Sequence, residues 1–205
     1  MKLYYAPGTI SIAVAIALEE AGLAYDTVKI SFADADQTKP DYTAINPKGR
    51  VPVLETPDGF ITENPAILEY IAATHPQAGF VPEDAYTQAQ ARALAAYICA
   101  TAHVAFAHKQ RGRRWAENDS SLLDMQQMVP ANLQACAAFL EADLALAPWA
   151  LGAEYCFCDP YLVLLGRWLS AVDLTLDAYP KLAQHRDALL ARPATQAALK
   201  AQGLT

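Results

Sequence analysis

The sequence predicts an α/β module at the N-terminus, followed by an all-helical domain. Short β-prone runs and two helical runs share residues 1–76. A linker that contains glycine and proline follows at residues 77–86. Residues 87–205 consist mainly of long alanine- and leucine-rich runs that favour helix. These observations predict two small domains of different secondary structure.

The start of the module predicts a β-α-β unit. Residues 2–5 are β-prone, and a turn then leads into an apolar helix over residues 10–21. Gly22 supplies the C-terminal stop of this helix, and residues 25–30 form the second strand. Because a helix connects the two strands, we expect them to be parallel.

A β-hairpin and a second helix complete the module. Residues 33–44 are polar and irregular, with room for one short helix. The strands at residues 51–56 and 60–62 flank a Pro-Asp-Gly turn and should pair antiparallel. A helix follows over residues 64–74, with Asn64 expected as its N-cap.

The second part predicts five successive helices. Their ranges are residues 87–109, 122–147, 159–171, 180–191 and 193–202. Pro130 is expected to bend the second helix. The third is apolar on nearly all sides and should be central and buried. A proline begins each of the last two.

Composition and charge argue against several classes of protein. With 54% hydrophobic and 18% charged residues, the chain is typical of a globular protein. The formal net charge of −7 argues against nucleic-acid binding, which requires a basic face. No apolar run reaches the length of a membrane span, so no membrane partner is expected. The N-terminus lacks a signal-peptide pattern, which predicts a cytoplasmic protein.

The cysteines predict neither a disulfide framework nor a metal cofactor. Cys156 and Cys158 form a C-x-C pair with no second cysteine pair nearby.

One local exception to the acidic net charge of the chain is a basic cluster at a predicted helix end. It consists of Lys109, Arg111, Arg113 and Arg114. We interpret it as a solvated helix terminus, with an anionic-ligand role as the alternative.

The first candidate binding motif is the turn and strand start at residues 46–54, Asn-Pro-Lys-Gly-Arg-Val-Pro-Val-Leu. A proline that enters a strand removes one amide donor and must lie at a strand start or edge. If the Val51–Pro52 bond is cis, the backbone N–H and C=O of Val51 are free to pair with an extended peptide ligand. An ordinary trans bond is the more frequent alternative.

The second candidate motif is the helix start at Glu63-Asn64. Free amide donors at a helix N-terminus suit a carboxylate, and the Glu63 carboxylate suits an ammonium group. Together they would hold the two charges of an α-amino acid. The alternative is that Asn64 only caps the helix and Glu63 is only a first-turn acid.

The third candidate motif brings the hydroxyls of Tyr5, Thr9 and Ser11 to a strand-to-helix turn. A hydroxyl that donates to a thiolate stabilises the charged form and lowers the pKa of the thiol. The alternative is that Thr9 or Ser11 caps the helix, the commoner use of these residues.

These three motifs occur in an order and at intervals that resemble the cytosolic glutathione S-transferases. Residues 46–54 are the most specific part of the resemblance. Residues 63–67, Glu-Asn-Pro-Ala-Ile, stand where the family has Glu-Ser/Gly-x-Ala-Ile. Residues 152–169 are similar to the entry of the family's buried helix, and residues 191–204 to the tail of its bacterial, beta-like members.

The resemblance implies a thioredoxin-like N-terminal domain, an all-α C-terminal helical domain, a homodimer, and glutathione as co-substrate. The glutathione-binding residues it implies are Arg50, Val51, Pro52, Glu63, Asn64 and His103. Val51 would pair with the cysteinyl backbone of glutathione, and Glu63 with Asn64 would hold the γ-glutamyl end. His103 stands where bacterial members place a histidine near the site.

The chain departs from the beta-type members at the position of their cysteine, where it has Ile10. Isoleucine neither forms a mixed disulfide nor donates a hydrogen bond. The candidates for the contact to sulfur are therefore hydroxyls, with Thr9 first, Ser11 second and Tyr5 third.

Two further departures concern binding and stability. Val104 replaces a lysine that often follows the histidine, so Arg50 or Lys39 becomes a candidate for the glycyl carboxylate. Cys156 replaces the Ser or Thr of the family's capping box, so Asp159 is expected to cap the buried helix instead.

Three functions are compatible with this sequence. The first is a glutathione S-transferase that stabilises the thiolate of glutathione and transfers it to a small hydrophobic or electrophilic substrate, as in detoxification. The second is a glutathione-dependent reductase or lyase, against which Ile10 argues. The third is a non-catalytic binding protein with the same fold, because fold alone does not give function. The electrophile should enter a pocket between the domains, near His103, Phe106, His108 and the basic cluster.

Overall fold

The computed structural model describes residues 1–204, and its first part contains a four-stranded mixed sheet. The strands are β1 (Lys2–Tyr5), β2 (Asp26–Lys29), β3 (Val53–Thr56) and β4 (Gly59–Thr62). Their spatial order is β2-β1-β3-β4, with β1 and β2 parallel and the other neighbours antiparallel. The predicted parallel pair and the predicted hairpin are both confirmed.

Three α-helices belong to this part of the chain. They are α1 (Ser11–Glu20), α2 (Pro40–Thr43) and α3 (Asn64–Thr74). Helix α1 is apolar on all sides because α3 packs against it and helices of the second part cover it as well. Gly22 ends α1 with a φ of 64°, a left-handed conformation that glycine adopts without a Cβ clash.

The second part consists of helices joined by irregular segments, which confirms the predicted fold class. Its α-helices are α4 (Ala85–Tyr97), α5 (His103–Arg111), α6 (Asp119–Asp143), α7 (Leu165–Ser170), α8 (Pro180–Ala191) and α9 (Pro193–Ala201). The domain boundaries at residues 76 and 86 stay predictions, and Thr205 lies outside the described residues. No helix within residues 1–204 combines the length and the apolar character needed to cross a membrane.

Two predicted helices have different bounds in the structure. The helix predicted over residues 87–109 is divided by a π-helical turn, Ile98–Ala102, that separates α4 from α5. Such single turns are frequent at functional sites, and this one directly precedes His103. The helix predicted over residues 122–147 ends with α6, because Leu144 adopts an extended backbone conformation.

The third predicted helix divides into a 3-10 segment, Asp159–Leu164, and α7, and it is buried as predicted. Its first side chain accepts three hydrogen bonds. The Asp159 carboxylate accepts from the backbone N–H groups of Cys156 at 2.7 Å and Ala150 at 2.8 Å. His185 lies 2.7 Å from the same carboxylate through Nε2. The predicted cap role of Asp159 is wrong: the N-cap is Cys158, which makes no side-chain cap hydrogen bond, and the Asp159 carboxylate instead ties the helix start to the preceding loop.

One continuous hydrophobic core joins the two parts of the chain. It extends from Leu3 and Ile12 beside the sheet to Leu133 and Trp168 among the helices. A smaller cluster around Tyr42 covers the other face of the sheet. The surfaces that the two parts of the chain turn toward each other are therefore each supported by packed side chains.

Candidate functional site

A cavity of about 580 Å³ lies between the sheet-bearing part and α5. Its near wall includes Thr9, Ile10, Arg50, Val51, Pro52, Glu63 and Asn64. Its far wall includes Cys99, His103, Phe106, Arg111, Arg114, Tyr161 and Trp168. All three sequence motifs therefore contribute to one cavity, and the helical part closes it from the opposite side.

Thr9 presents the hydroxyl of the near wall. Its Oγ1 donates to the carbonyl oxygen of Ala6 at 2.7 Å and lies 2.7 Å from Ser11 Oγ. Ser11 Oγ also donates to the Ala6 carbonyl oxygen, at 3.1 Å. Two hydroxyls with one proton each therefore share one carbonyl acceptor. When Ser11 satisfies that carbonyl, the Thr9 proton is free to point into the cavity.

Ser11 and Tyr5, the second and third hydroxyl candidates, lie behind the cavity wall rather than in it. Ser11 is 0% exposed and its hydroxyl is occupied by Thr9 and the Ala6 carbonyl. Tyr5 is 9% exposed and packs in the main core. The geometry therefore favours Thr9 for direct contact with a ligand and leaves Ser11 as its support.

The Val51–Pro52 bond is cis, the less frequent of the two alternatives that the motif leaves open. The preceding carbonyl, that of Arg50, accepts hydrogen bonds from Tyr42 Oη at 2.6 Å and Asn46 Nδ2 at 2.7 Å. These bonds hold the loop in place. Within the described part of the chain, neither the N–H nor the C=O of Val51 has a hydrogen-bond partner. A free donor and acceptor on one residue is what an extended peptide ligand requires.

The N-cap role predicted for Asn64 is wrong. Asn64 is the first residue of α3, and its Nδ2 donates to the Ile10 carbonyl oxygen at 2.9 Å, which ties α3 to the turn that carries Thr9. The cap position belongs to Glu63, whose φ of 72° is unusual for a residue with a side chain. Such conformations cost about 1–3 kcal/mol and cluster at binding sites. The Glu63 carboxylate pairs with Lys48 Nζ.

Two buried acceptors beside the cavity lack partners. Gln37 Oε1 and Asn64 Oδ1 are inaccessible to solvent and have no hydrogen-bond partner within residues 1–204. Both residues line the cavity. Because unpaired buried acceptors are rare and unfavourable, they indicate positions that a ligand with N–H donors would satisfy.

His103 lies on the far wall and is neutral at physiological pH. Its ring stacks on Trp168, with ring centres 5.3 Å apart and planes inclined by 17°. Burial first, and then the charges of the nearby arginines with Arg111 foremost, lower the pKa of His103 to about 4. Arg111 Nη2 lies 3.3 Å from His103 Nε2 and donates to it, so the ring proton resides on Nδ1.

We expect His103 to make the fold less stable in mild acid. Its folded-state pKa of about 4 lies below the ordinary histidine value of 6.5, so the unfolded chain binds the additional proton first. The stability contribution is complete above the unfolded pKa and is lost as pH falls toward the folded pKa, by about 3 kcal/mol. Urea unfolding of wild type and His103→Gln between about pH 4.5 and pH 7 measures this. The free energy of unfolding should fall less steeply with decreasing pH in the variant than in the wild type. Equal slopes in the two proteins would contradict the lowered pKa of His103.

Three arginines face the cavity without a carboxylate partner among the described residues: Arg50, Arg111 and Arg114. Burial lowers the pKa of Arg111, and the charges of Arg114 and Arg50 lower it further. Burial and the charge of Arg50 lower the pKa of Arg114. The three guanidinium groups therefore lie close enough to repel one another.

The other members of the basic cluster are engaged elsewhere. Arg113 Nη2 lies 2.6 Å from the Asp119 carboxylate, and Lys109 Nζ donates to the Ala171 carbonyl oxygen at 2.7 Å. Arg113 and Lys109 therefore agree with the prediction that the basic cluster is a solvated helix terminus. Arg111 and Arg114 do not agree with that prediction, because they line the cavity.

Sequence reasoning missed several residues of the far wall, notably Cys99, Tyr161 and Trp168. They come from two segments far apart in the chain and form no local motif. The signal that could have found Trp168 is its place in a strongly apolar helix. His108, expected near the pocket, packs edge-on against Trp115 with ring centres 4.7 Å apart.

Comparison with known proteins agrees with this geometry. Residues 1–73 match the family described as "Glutathione S-transferase, N-terminal domain". A glutathione transferase homologue from Sulfitobacter, solved with bound glutathione, is 48% identical in sequence. The similarity covers 100% of this chain and 98% of that chain, with a TM-score of 0.95.

Two curated relatives match over nearly their whole lengths. Glutathione S-transferase GstA of Escherichia coli O157:H7 is 30% identical over 100% of both chains. Maleylacetoacetate isomerase of Pseudomonas aeruginosa is 28% identical over 95% of this chain and 93% of its own. The mixed sheet with its helices and the helical second part form the glutathione S-transferase fold, whose N-terminal domain is thioredoxin-like. On both sequence and structure, the chain belongs to the glutathione S-transferase family.

Proposed function

We propose that this protein is a glutathione transferase that binds glutathione in the cavity, favours its thiolate and transfers it to a small electrophile. One observation carries the proposal: the unpaired Val51 backbone, the Thr9 hydroxyl and the start of α3 meet in a single cavity. Relatives solved with bound glutathione, at 48% and 31% identity, support the same ligand.

Glutathione matches the unsatisfied groups of the near wall. Its cysteinyl N–H and C=O would pair with the free C=O and N–H of Val51. Its ammonium and amide N–H groups would reach acceptors such as Asn64 Oδ1 and the Glu63 carboxylate. Its γ-glutamyl carboxylate would lie near the N–H groups at the start of α3 and near Lys48. Binding would thus satisfy groups that the free protein leaves unpaired.

The chemistry requires Thr9 to donate to the glutathione sulfur. Ser11 would take over the Ala6 carbonyl, and the released Thr9 proton would stabilise the thiolate and lower the pKa of the thiol. The thiolate then attacks the electrophilic carbon, the S–C bond forms, and the leaving group departs with its electron pair. Proximity and orientation in the cavity supply much of the acceleration.

Arg50 and His103 have different proposed roles. Lys39, the rival candidate for the glycyl carboxylate, is paired with Asp36 at 2.5 Å, whereas Arg50 has no carboxylate partner among the described residues. Arg50 is therefore our candidate for that contact. His103 accepts a hydrogen bond from Arg111 and serves as a positioning residue for that guanidinium group.

A glutathione-dependent reductase or lyase is less well supported. Ile10 occupies the position at which a protein thiol would form a mixed disulfide with glutathione. The comparisons favour the transferase. A non-catalytic binding protein would retain the affinity for glutathione but show no change in the thiol pKa, so the experiment below separates it from the enzyme.

We further propose that the enzyme is a cytoplasmic homodimer related most closely to the bacterial, beta-like transferases. Full-length similarity to bacterial members supports this proposal. Isomerases of the same family also match this chain, so the sequence motifs give the beta-like assignment its more specific support.

The test is a calorimetric titration with glutathione, combined with the ultraviolet absorbance of the bound thiolate as pH is varied. We expect binding at millimolar concentration or below, and a thiol pKa at least about one unit below the ordinary value of about 8.5. S-methylglutathione is the matched control, because it should bind without a thiolate signal. If glutathione fails to bind at millimolar concentration, the proposal is wrong.

A further inference from the structure

The cavity holds more positive charge than glutathione alone would neutralise. Arg50, Arg111 and Arg114 line it, although the whole chain has a formal net charge of −7. The acid facing this space from the near wall is Glu63, which already pairs with Lys48. The arginine charges are therefore not balanced by the described residues around them.

Glutathione carries two carboxylates, and the proposed function already assigns both. One lies at the start of α3 and the other at Arg50. Arg111 and Arg114 then remain without an anion even in the glutathione complex. Arg111 is only partly exposed, and a partly buried guanidinium without a counter-charge is unfavourable, so it indicates a second anionic group in the filled site. Arg114 is exposed and lines the same cavity, where it can contact that group from the solvent side.

The surroundings of these arginines suit a planar molecule. Arg111 donates a hydrogen bond to His103, and the His103 ring stacks on Trp168. The ring of Phe106 stacks on the same indole with centres 5.5 Å apart, and Trp115 lines the cavity beside Arg114. Aromatic faces next to a pair of guanidinium groups provide an apolar wall and an anion site together.

We propose that Arg111 and Arg114 bind a carboxylate of the second substrate, so that this enzyme acts on planar electrophiles that carry an acid group. The proposal rests on the proposed transferase function and names its substrate class. Arg111 and Arg114 would hold the carboxylate, the aromatic wall would hold the planar body, and the electrophilic carbon would then face the sulfur beside Thr9.

The test compares 4-chloro-3-nitrobenzoate with 4-chloro-3-nitrobenzamide as substrates. In both, the glutathione thiolate attacks the carbon bearing chlorine, an S–C bond forms, the C–Cl bond breaks and chloride leaves. Each kcat/KM is divided by the uncatalysed rate constant with glutathione, which removes the difference in intrinsic reactivity. We expect the wild type to favour the benzoate by about tenfold or more, as charge-assisted hydrogen bonds predict.

Arg111→Met and Arg114→Met should each reduce this preference at least severalfold while the affinity for glutathione stays unchanged. Arg113→Met is the matched control, because Arg113 belongs to the same turn but pairs with Asp119, and it should keep the preference. The inference would be overturned if the wild type gave the two substrates equal values of kcat/KM relative to the uncatalysed rate constant. It would also be overturned if both variants kept the preference for the benzoate.

A further outcome separates the inference from the proposed function. If Arg111→Met and Arg114→Met weaken glutathione binding as much as Arg50→Met does, these arginines bind the tripeptide, and the inference is wrong while the transferase function stands. Absence of glutathione binding by the wild type, seen in the titration before any electrophile is added, would instead overturn the proposed function and the inference with it.

Discussion

Thr9→Ala is expected to lower kcat/KM about tenfold to hundredfold at neutral pH, because it removes the hydrogen bond to the thiolate, worth about 1.5–3 kcal/mol. The pKa of the bound thiol should rise by about one to two units. The absorbance of bound glutathione as a function of pH, and the rate with 1-chloro-2,4-dinitrobenzene, measure the two effects. The affinity for glutathione should change little, since in the proposed complex Val51 and the start of α3 provide the main contacts.

Three variants give this experiment its controls. Thr9→Ser keeps a hydroxyl and should retain most of the activity. Thr175→Ala removes an exposed hydroxyl far along the chain and should have no effect. Ser11→Ala should have an intermediate effect, because the Thr9 proton then remains with the Ala6 carbonyl. An unchanged thiol pKa in a folded Thr9→Ala protein would show that another group stabilises the thiolate.

Asp159→Ala is expected to lower the free energy of unfolding by about 3–5 kcal/mol, the cost of removing one partner from a buried pair. Asp159 is fully buried, and its loss would leave the N–H groups of Cys156 and Ala150 and the ring of His185 without their acceptor. For a chain of this size, the melting temperature should fall by about 10 °C. Thermal and urea unfolding measure the change.

The matched control is Asp187→Ala, which removes a carboxylate that pairs with Arg186 on the surface. It should change stability by less than about 1 kcal/mol. Asp159 lies outside the cavity, so Asp159→Ala should retain glutathione binding at low temperature, where it is folded. Similar melting temperatures for the two variants would contradict the structural role of Asp159.

Local sequence was sufficient for most secondary structure of the N-terminal part. The apolar run of α1 with Gly22 after it, and the Pro-Asp-Gly turn of the hairpin, predict their elements because short-range conformational preferences dominate there. The same approach was less accurate for the helical part. The π turn before His103 and the end of α6 at Asp143 have no signal in the apolar periodicity, which continues through both positions.

Asn64 shows how tertiary contacts alter a local prediction. An asparagine before a proline at a helix start has the sequence pattern of an N-cap. In the fold, the Ile10 carbonyl lies within reach of its amide, and this long-range bond takes the side chain away from the helix end. Sequence therefore located the residue at the site but assigned it the wrong partner.

By itself, the sequence determined the fold class and the family resemblance, because both depend on patterns and motifs of residues adjacent in the chain, whereas it left the cis or trans state of the Val51–Pro52 bond open. Only the tertiary structure decided that Thr9 faces the cavity while Ser11 and Tyr5 lie behind it. It also decided that Arg111 and Arg114 face inward while Arg113 turns to Asp119. The reason is physical: hydroxyls or guanidinium groups a few residues apart have similar local preferences, and only packing against distant segments makes their surroundings different.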